Sequence, residues 1–203
     1  MAMLAGVSHD LRTPLTRLKL ALAMQPDTPD TEALRADVLE MERMVEGYLN
    51  FARDIASGDD PEETDIGALL RDIGEETARS GRRVALDIEE KLEMPARRDA
   101  LKRAVKNFVA NSLKYASNVW LTGRRAGANI EIIVDDDGPG IDPANYSEAF
   151  RPFTRLRDPR TLDRNGVGLG LAVVRDVARS HGGDVTLARS PQGGLRATVR
   201  LPV

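Results

Sequence analysis

The chain has 203 residues, 41% of them hydrophobic and 30% charged, which is enough apolar material for a buried core and argues against disorder along its length. It has no cysteine, so disulfides, iron–sulfur clusters, thiolate zinc sites and cysteine nucleophiles are excluded together; with only His9 and His181, so is a histidine-rich metal centre. A net charge of -3, from 29 basic and 32 acidic side chains, offers no basic face to a nucleic-acid backbone, and no apolar run nears the roughly 20 residues that span a bilayer, so the chain reads as soluble.

The first elements are two helices. Leu4, Val7, Leu11, Leu15, Leu18 and Leu22 recur at three- and four-residue steps along one stripe, with a bend expected at Pro14, whose ring removes a donor. On that helix His9 lies about 160° from Leu11 and faces away from the stripe. Asp10 is its neighbour, and Thr13 projects one turn later from nearly the same side. An exposed imidazole beside a carboxylate has a nitrogen free for attack, although a plain surface histidine fits the same pattern. After a loop at 25–30 comes a second helix, capped by Asp30 or Thr31, in which Leu34, Val38, Met41, Val45, Tyr48, Ala52 and Ile55 form a heptad seam. Stripes of that length are too long for one hairpin to hide; a second copy in a dimeric four-helix bundle is the economical cover, with the second domain of the same chain as the alternative.

Residues 57–64 are polar and contain Gly58 and Pro61. They place a linker at 59–64, between an all-α hairpin of residues 1–58 and a second unit of residues 65–203. There, helices are expected at 65–80, 96–116 and 167–180, the last stopped by Gly182-Gly183. Strands are expected at 82–89, 119–124, 129–135, 184–189 and 195–201. The second unit is thus an α+β two-layer sandwich, with helices on one face of a largely antiparallel sheet.

Four stretches of this unit could carry chemistry. Asn107 and Asn111 share the helix side opposite Leu101, Val105, Phe108, Val109 and Leu113, and Lys114 and Tyr115 continue that side. Asparagine is a mediocre helix former, whereas its amide offers Mg²⁺ a hard oxygen and phosphate a donor; a merely solvated face would also carry the pair. Strand 129–135 runs into Asp135-Asp136-Asp137-Gly138-Pro139-Gly140. Glycines there let a planar ligand approach, and a buried carboxylate could accept an amine proton of a base such as adenine, with an ordinary acidic turn as the alternative. Residues 151–165 carry Arg151, Arg155, Arg157, Arg160 and Arg164, anchored by Phe150 and Phe153, and suit a lid over a polyphosphate. Gly166-Val167-Gly168-Leu169-Gly170 then opens a helix whose free amides attract anions, with a spacing that is neither a dinucleotide fingerprint nor a Walker A loop.

In order, the blocks Ser8-His-Asp-Leu-Arg-Thr-Pro-Leu15, Asn107-Phe-Val-Ala-Asn111-Ser-Leu-Lys-Tyr115, Asp136-Asp-Gly-Pro-Gly140, Phe150-Arg-Pro-Phe153 and Gly166-Val-Gly-Leu-Gly170 span nearly the whole chain. Together they resemble the histidine kinases of bacterial two-component systems, the first block being closest to the EnvZ-type osmosensor kinases. That resemblance implies a dimeric phosphoacceptor hairpin followed by an ATPase domain of the Bergerat (GHKL) fold. In it His9 is the phosphoacceptor, Asp10 orients or deprotonates it, and Thr13 positions water when the phosphorylated regulator is hydrolysed. Asn111 holds Mg²⁺, while Asn107, Lys114 and Arg155 contact phosphate. Asp136 accepts from the adenine amino group, Tyr115 packs on the ring, and Gly138 and Gly140 shape the base pocket. Phe153, Gly166, Gly168, Leu169 and Gly170 line the phosphate side, and Val167 departs from the serine or threonine often found there, removing a hydroxyl. The implied cofactors are ATP and Mg²⁺. The implied partners are a second copy and the receiver domain of an OmpR-type regulator, which takes the phosphoryl group on an aspartate; no nucleic acid is implied. The core is implied to be cytoplasmic, with the full-length protein anchored in the inner membrane, and residues 58–64 to act as a hinge. An ATPase module that passes phosphate only to water would share the same nucleotide pocket.

Overall fold

The computed structural model describes residues 2–56, 60–152, 154 and 168–203, with side chains at 13–42, 45 and from 60 onward among these. Helices α1 (Ala2–Ala23) and α2 (Pro29–Ala56) form the hairpin, and α1 continues through Pro14. They run antiparallel: Lys19 pairs with Glu42 at 2.7 Å, and the Arg35 guanidinium donates to the Leu22 and Gln25 carbonyls that end α1. The cap of α2 falls earlier than expected. Thr28 Oγ1 accepts from the Thr31 N–H at 3.2 Å, which puts Pro29 at the first helical position, where its fixed φ suits the helix and no donor is needed. Leu15 and Val38 are buried, whereas Leu18, Leu34 and Met41 on the same stripes remain 48%, 51% and 45% exposed in the single chain.

The second unit comprises β1 (Glu62–Asp65), α3 (Ile66–Arg79), β2 (Ala85–Ile88), β3 (Glu93–Ala96), α4 (Arg98–Tyr115), β4 (Val119–Ala126), β5 (Asn129–Asp136), a 3-10 turn (Pro143–Asn145), α5 (Tyr146–Ala149), α6 (Gly170–Ser180), β6 (Asp184–Arg189) and β7 (Leu195–Pro202). Five strands form a sheet in the order β2-β4-β5-β7-β6, antiparallel except for the parallel pair β2–β4. Ile66, Leu69 and Leu70 of α3, Leu101, Val105 and Phe108 of α4, and Val173, Val174 and Val177 of α6 pack with Leu121, Ile130, Ile132, Val134 and Val199 in one core. The two-layer expectation therefore holds.

Several elements differ from the sequence reading, among them three strands. The end of the stretch read as linker is extended: β1 pairs antiparallel with β3, an unexpected strand that contains Pro95. A proline lacks a ladder donor, yet a two-stranded ribbon tolerates it at an edge. Strand β2 is also shorter than the expected 82–89.

The register of β5 sets the direction in which each of its carboxylates points. Ile130, Ile132 and Val134 point to the helices, so by the two-residue period Asp136 does as well. Glu131 and Asp135 lie on the opposite face, buried under arginines. Glu131 accepts from Arg124 and Arg200, each through two bonds of 2.7 and 3.0 Å, and these guanidinium groups hold its carboxyl below the ordinary glutamate range. At the other end of the helical layer, the Arg97 N–H donates to His181 Nε2 at 2.9 Å while His181 Nδ1 donates to the Val177 carbonyl at 2.7 Å. The imidazole thus ties the start of α4 to the end of α6.

Candidate nucleotide-binding site

Asp136, the last residue of β5, is 5% exposed. Its Oδ1 accepts from the backbone N–H groups of Gly138 and Leu195, both at 3.0 Å, and its Oδ2 accepts from the Ser112 hydroxyl at 3.0 Å. A carboxylate has about four acceptor positions, so these three donors leave one, on Oδ2. The two neighbouring acids are committed elsewhere. Asp135 makes a two-bond ion pair with Arg196 at 2.9 and 2.7 Å. Asp137 accepts from the N–H groups of Asn118 and Ser117 at 2.9 Å and from the Asn118 amide at 2.7 Å, bonds that close the α4–β4 turn and hold its carboxyl below the aspartate range. Of three consecutive carboxylates, Asp136 is the buried one that faces the helices and has an acceptor to spare on that side, whereas Asp135 faces the arginines.

Glycines build the walls. A Cβ at Gly138 would sit 3.0 Å from the Tyr115 carbonyl oxygen and 3.1 Å from Asp136 Oδ1, so the turn lies against the end of α4. Tyr115 is exposed there, with Lys114 Nζ 5.1 Å from its ring centre. Asn111, half-buried, directly precedes Ser112, and Asn107 is exposed one turn earlier. Gly140, at φ +72°, faces Gly194 in the β6–β7 turn.

On the phosphate side, Gly168 adopts φ +71°, Leu169 is buried, and Gly170 is the first residue of α6, which packs against α4. Among the described residues no side chain caps α6, so its first turn offers backbone donors of the kind that bind anions. A Cβ on Gly170 would meet nothing within 4 Å among the described residues, so packing against them does not account for glycine there. Phe153, Arg155, Gly166 and Val167 lie outside the described residues. His9 and Asp10 are on α1, but their side chains likewise lie outside the described residues; Thr13 is exposed on the same helix.

Three contributors to the Asp136 cluster escape sequence reasoning: Ser112, Gly194 and the Leu195 amide. For Ser112 a signal existed. With Leu101, Val105 and Phe108 it completes a four-three-four stripe, the lone polar member of a buried face. For Gly194 there was only a turn. A Cβ at Gly194 would stand 2.1 Å from Asp136 Oδ1 and 2.5 Å from the Gly138 nitrogen, so backbone must move to admit one. Gly194→Ala is therefore expected to cost about 1–3 kcal/mol of stability and to weaken adenine-nucleotide binding about tenfold. Thermal melts and an ADP titration check this, and unchanged values in both would refute the packing argument.

Comparison with known proteins finds two families, one in each part of the chain. Residues 96–203 match the histidine kinase-, DNA gyrase B- and HSP90-like ATPase family, and residues 1–56 match the His kinase A (phospho-acceptor) domain. The chain is similar to the sensor histidine kinase GtrS of Pseudomonas aeruginosa, 36% identical over 198 residues that cover 98% of this chain and 41% of GtrS. Among solved structures it is similar to full-length ShkA in complex with AMPPNP, with a TM-score of 0.68 and 26% identity over 99% of this chain and 45% of that one. It is also similar to the histidine kinase domain of the Escherichia coli osmosensor EnvZ, with a TM-score of 0.55 and 30% identity over 72% of this chain and 92% of that one. The chain spans under half the length of the curated relatives it matches. Among the described residues no helix is long and apolar enough to cross a membrane. With a phospho-acceptor hairpin joined to an ATPase domain whose buried Asp136 keeps one acceptor free, the chain belongs to the histidine kinases.

Proposed function

We propose that the chain is the catalytic core of a sensor kinase in which His9 takes the γ-phosphoryl group of ATP and hands it to an aspartate of an OmpR-type receiver domain. The observation that carries the nucleotide half is the single free acceptor of Asp136 beside Gly138, which fits the 6-amino group of adenine. Tyr115 then lies on the ring, Asn107 and Lys114 reach phosphate together with Arg155, and Gly168, Leu169 and Gly170 direct backbone donors at it alongside Phe153 and Gly166. In the transfer, a His9 ring nitrogen forms the new bond to the γ-phosphorus as the bond to the β–γ bridging oxygen breaks. ADP departs with that electron pair, and Asp10 orients the imidazole and accepts its proton. Positioning and charge neutralisation supply most of the acceleration in such transfers.

Mg²⁺ fits this arrangement. Among the described residues there is no cluster of three or more acidic, histidine or cysteine ligands, whereas Mg²⁺ is commonly held by one or two protein oxygens plus phosphates and water. Asn111 offers the protein oxygen, and a bound Mg²⁺ would neutralise charge developing on the β- and γ-phosphates. Thr13, exposed one turn from His9, suits positioning of water for hydrolysis of the phosphorylated regulator. The exposed Leu18, Leu34 and Met41 fit a homodimer through the hairpin, and with residues 62–65 paired to β3 a hinge between acceptor and nucleotide falls before Glu62. In a longer chain anchored in the inner membrane this core would lie in the cytoplasm.

Incubation with γ-labelled ATP and Mg²⁺ tests the reading. A phosphoprotein labile to acid and stable to base is expected, as for a phosphoramidate; label released only as inorganic phosphate would instead establish an ATPase without a histidine acceptor.

A further inference from the structure

We infer that Ser112 is a positioning residue that sets nucleobase selectivity, an inference that rests on Asp136 as the base acceptor. Ser112 is 7% exposed, and its hydroxyl donates to Asp136 Oδ2. Oδ1 is fixed by two backbone N–H groups that no side-chain substitution removes, so Ser112 is the side-chain control on the remaining oxygen. The bond has two effects. It occupies one Oδ2 acceptor and leaves the other as the only place for an amine proton. It also spends the hydroxyl proton on Oδ2, so that proton is not offered to a purine 6-keto oxygen, which would face a carboxylate lone pair without a donor. A site that pairs with a substrate N–H rejects analogues lacking it, because its buried acceptor is then left unmatched.

With alanine at this position, Oδ2 gains a second open acceptor, and a water can enter that satisfies the carboxylate or donates to a foreign 6-substituent. Selectivity relaxes, while the phosphate contacts are untouched.

The test compares ADP with purine riboside 5′-diphosphate, which lacks the 6-amino group, by calorimetric titration of the wild type and Ser112→Ala. The wild type is expected to prefer ADP by about 100-fold, and Ser112→Ala by about tenfold, the change falling mainly on purine riboside 5′-diphosphate, whose unmatched carboxylate acceptor a water now serves. Because the readout is a ratio of affinities for one sample, a change in the folded fraction does not move it. Equal weakening of both nucleotides, or a preference that stays at the wild-type value, would overturn the role given to Ser112. A wild type that binds both equally would overturn the Asp136 assignment itself, and this inference with it.

Discussion

Asp136→Asn is expected to weaken ADP binding by about 100-fold with little change in melting temperature. An asparagine retains one carbonyl oxygen, which can still accept from the Gly138 and Leu195 N–H groups, and its amide nitrogen can donate to Ser112 Oγ. The internal fold is therefore satisfied. What changes is the outward position: an N–H donor replaces the free acceptor and meets the adenine amino group, donor against donor, in a buried setting. Leaving such groups unpaired costs about 1–3 kcal/mol each, and 2.7 kcal/mol corresponds to a factor of about 100 in affinity. Calorimetry with ADP reads this directly. An unchanged dissociation constant would remove Asp136 from base recognition.

His9→Gln is expected to abolish incorporation of γ-phosphate from labelled ATP while ADP affinity stays at the wild-type value. The glutamine amide has a similar reach, but its nitrogen lone pair is delocalised into the carbonyl and is not a nucleophile. The groups placed around the nucleotide lie between Asn107 and Leu195, on other elements, so binding should not register the change. Gel autoradiography and an ADP titration on the same preparation check both halves. Residual acid-labile label on the variant would exclude His9 as the acceptor. The two variants divide the proposed reaction cleanly: one holds adenine nucleotide poorly, the other has nowhere to put its phosphate.

The parts of the molecule that sequence discloses are those governed by local periodicity. The stripe Leu101, Val105, Phe108 and the glycines at 182–183 specify helices α4 and α6, and Ile130-Glu-Ile-Ile-Val134 sits where a strand is expected. Its apolar run Ile132-Ile133-Val134 masks which face is which, because Ile133 lies on the arginine-covered side. What local pattern did not disclose depends on distant partners. Strand β3 owes its extended form to β1, some 30 residues earlier, against the discouragement of Pro95. Thr28, not Asp30 or Thr31, caps α2 because Pro29 takes the first helical position. Asp135, Asp136 and Asp137 are indistinguishable as letters, and only the sheet register and the contacts with Arg196, Ser112 and Asn118 assign them separate duties.

The Leu195 amide that anchors Asp136 has a bearing on biosynthesis. It opens β7, the strand threaded between β5 and β6, so one of the three bonds that seat the aspartate forms only after this late segment has been translated and has zipped into place. A half-made polypeptide on the ribosome would therefore present adenine with a looser acceptor than the finished sheet does.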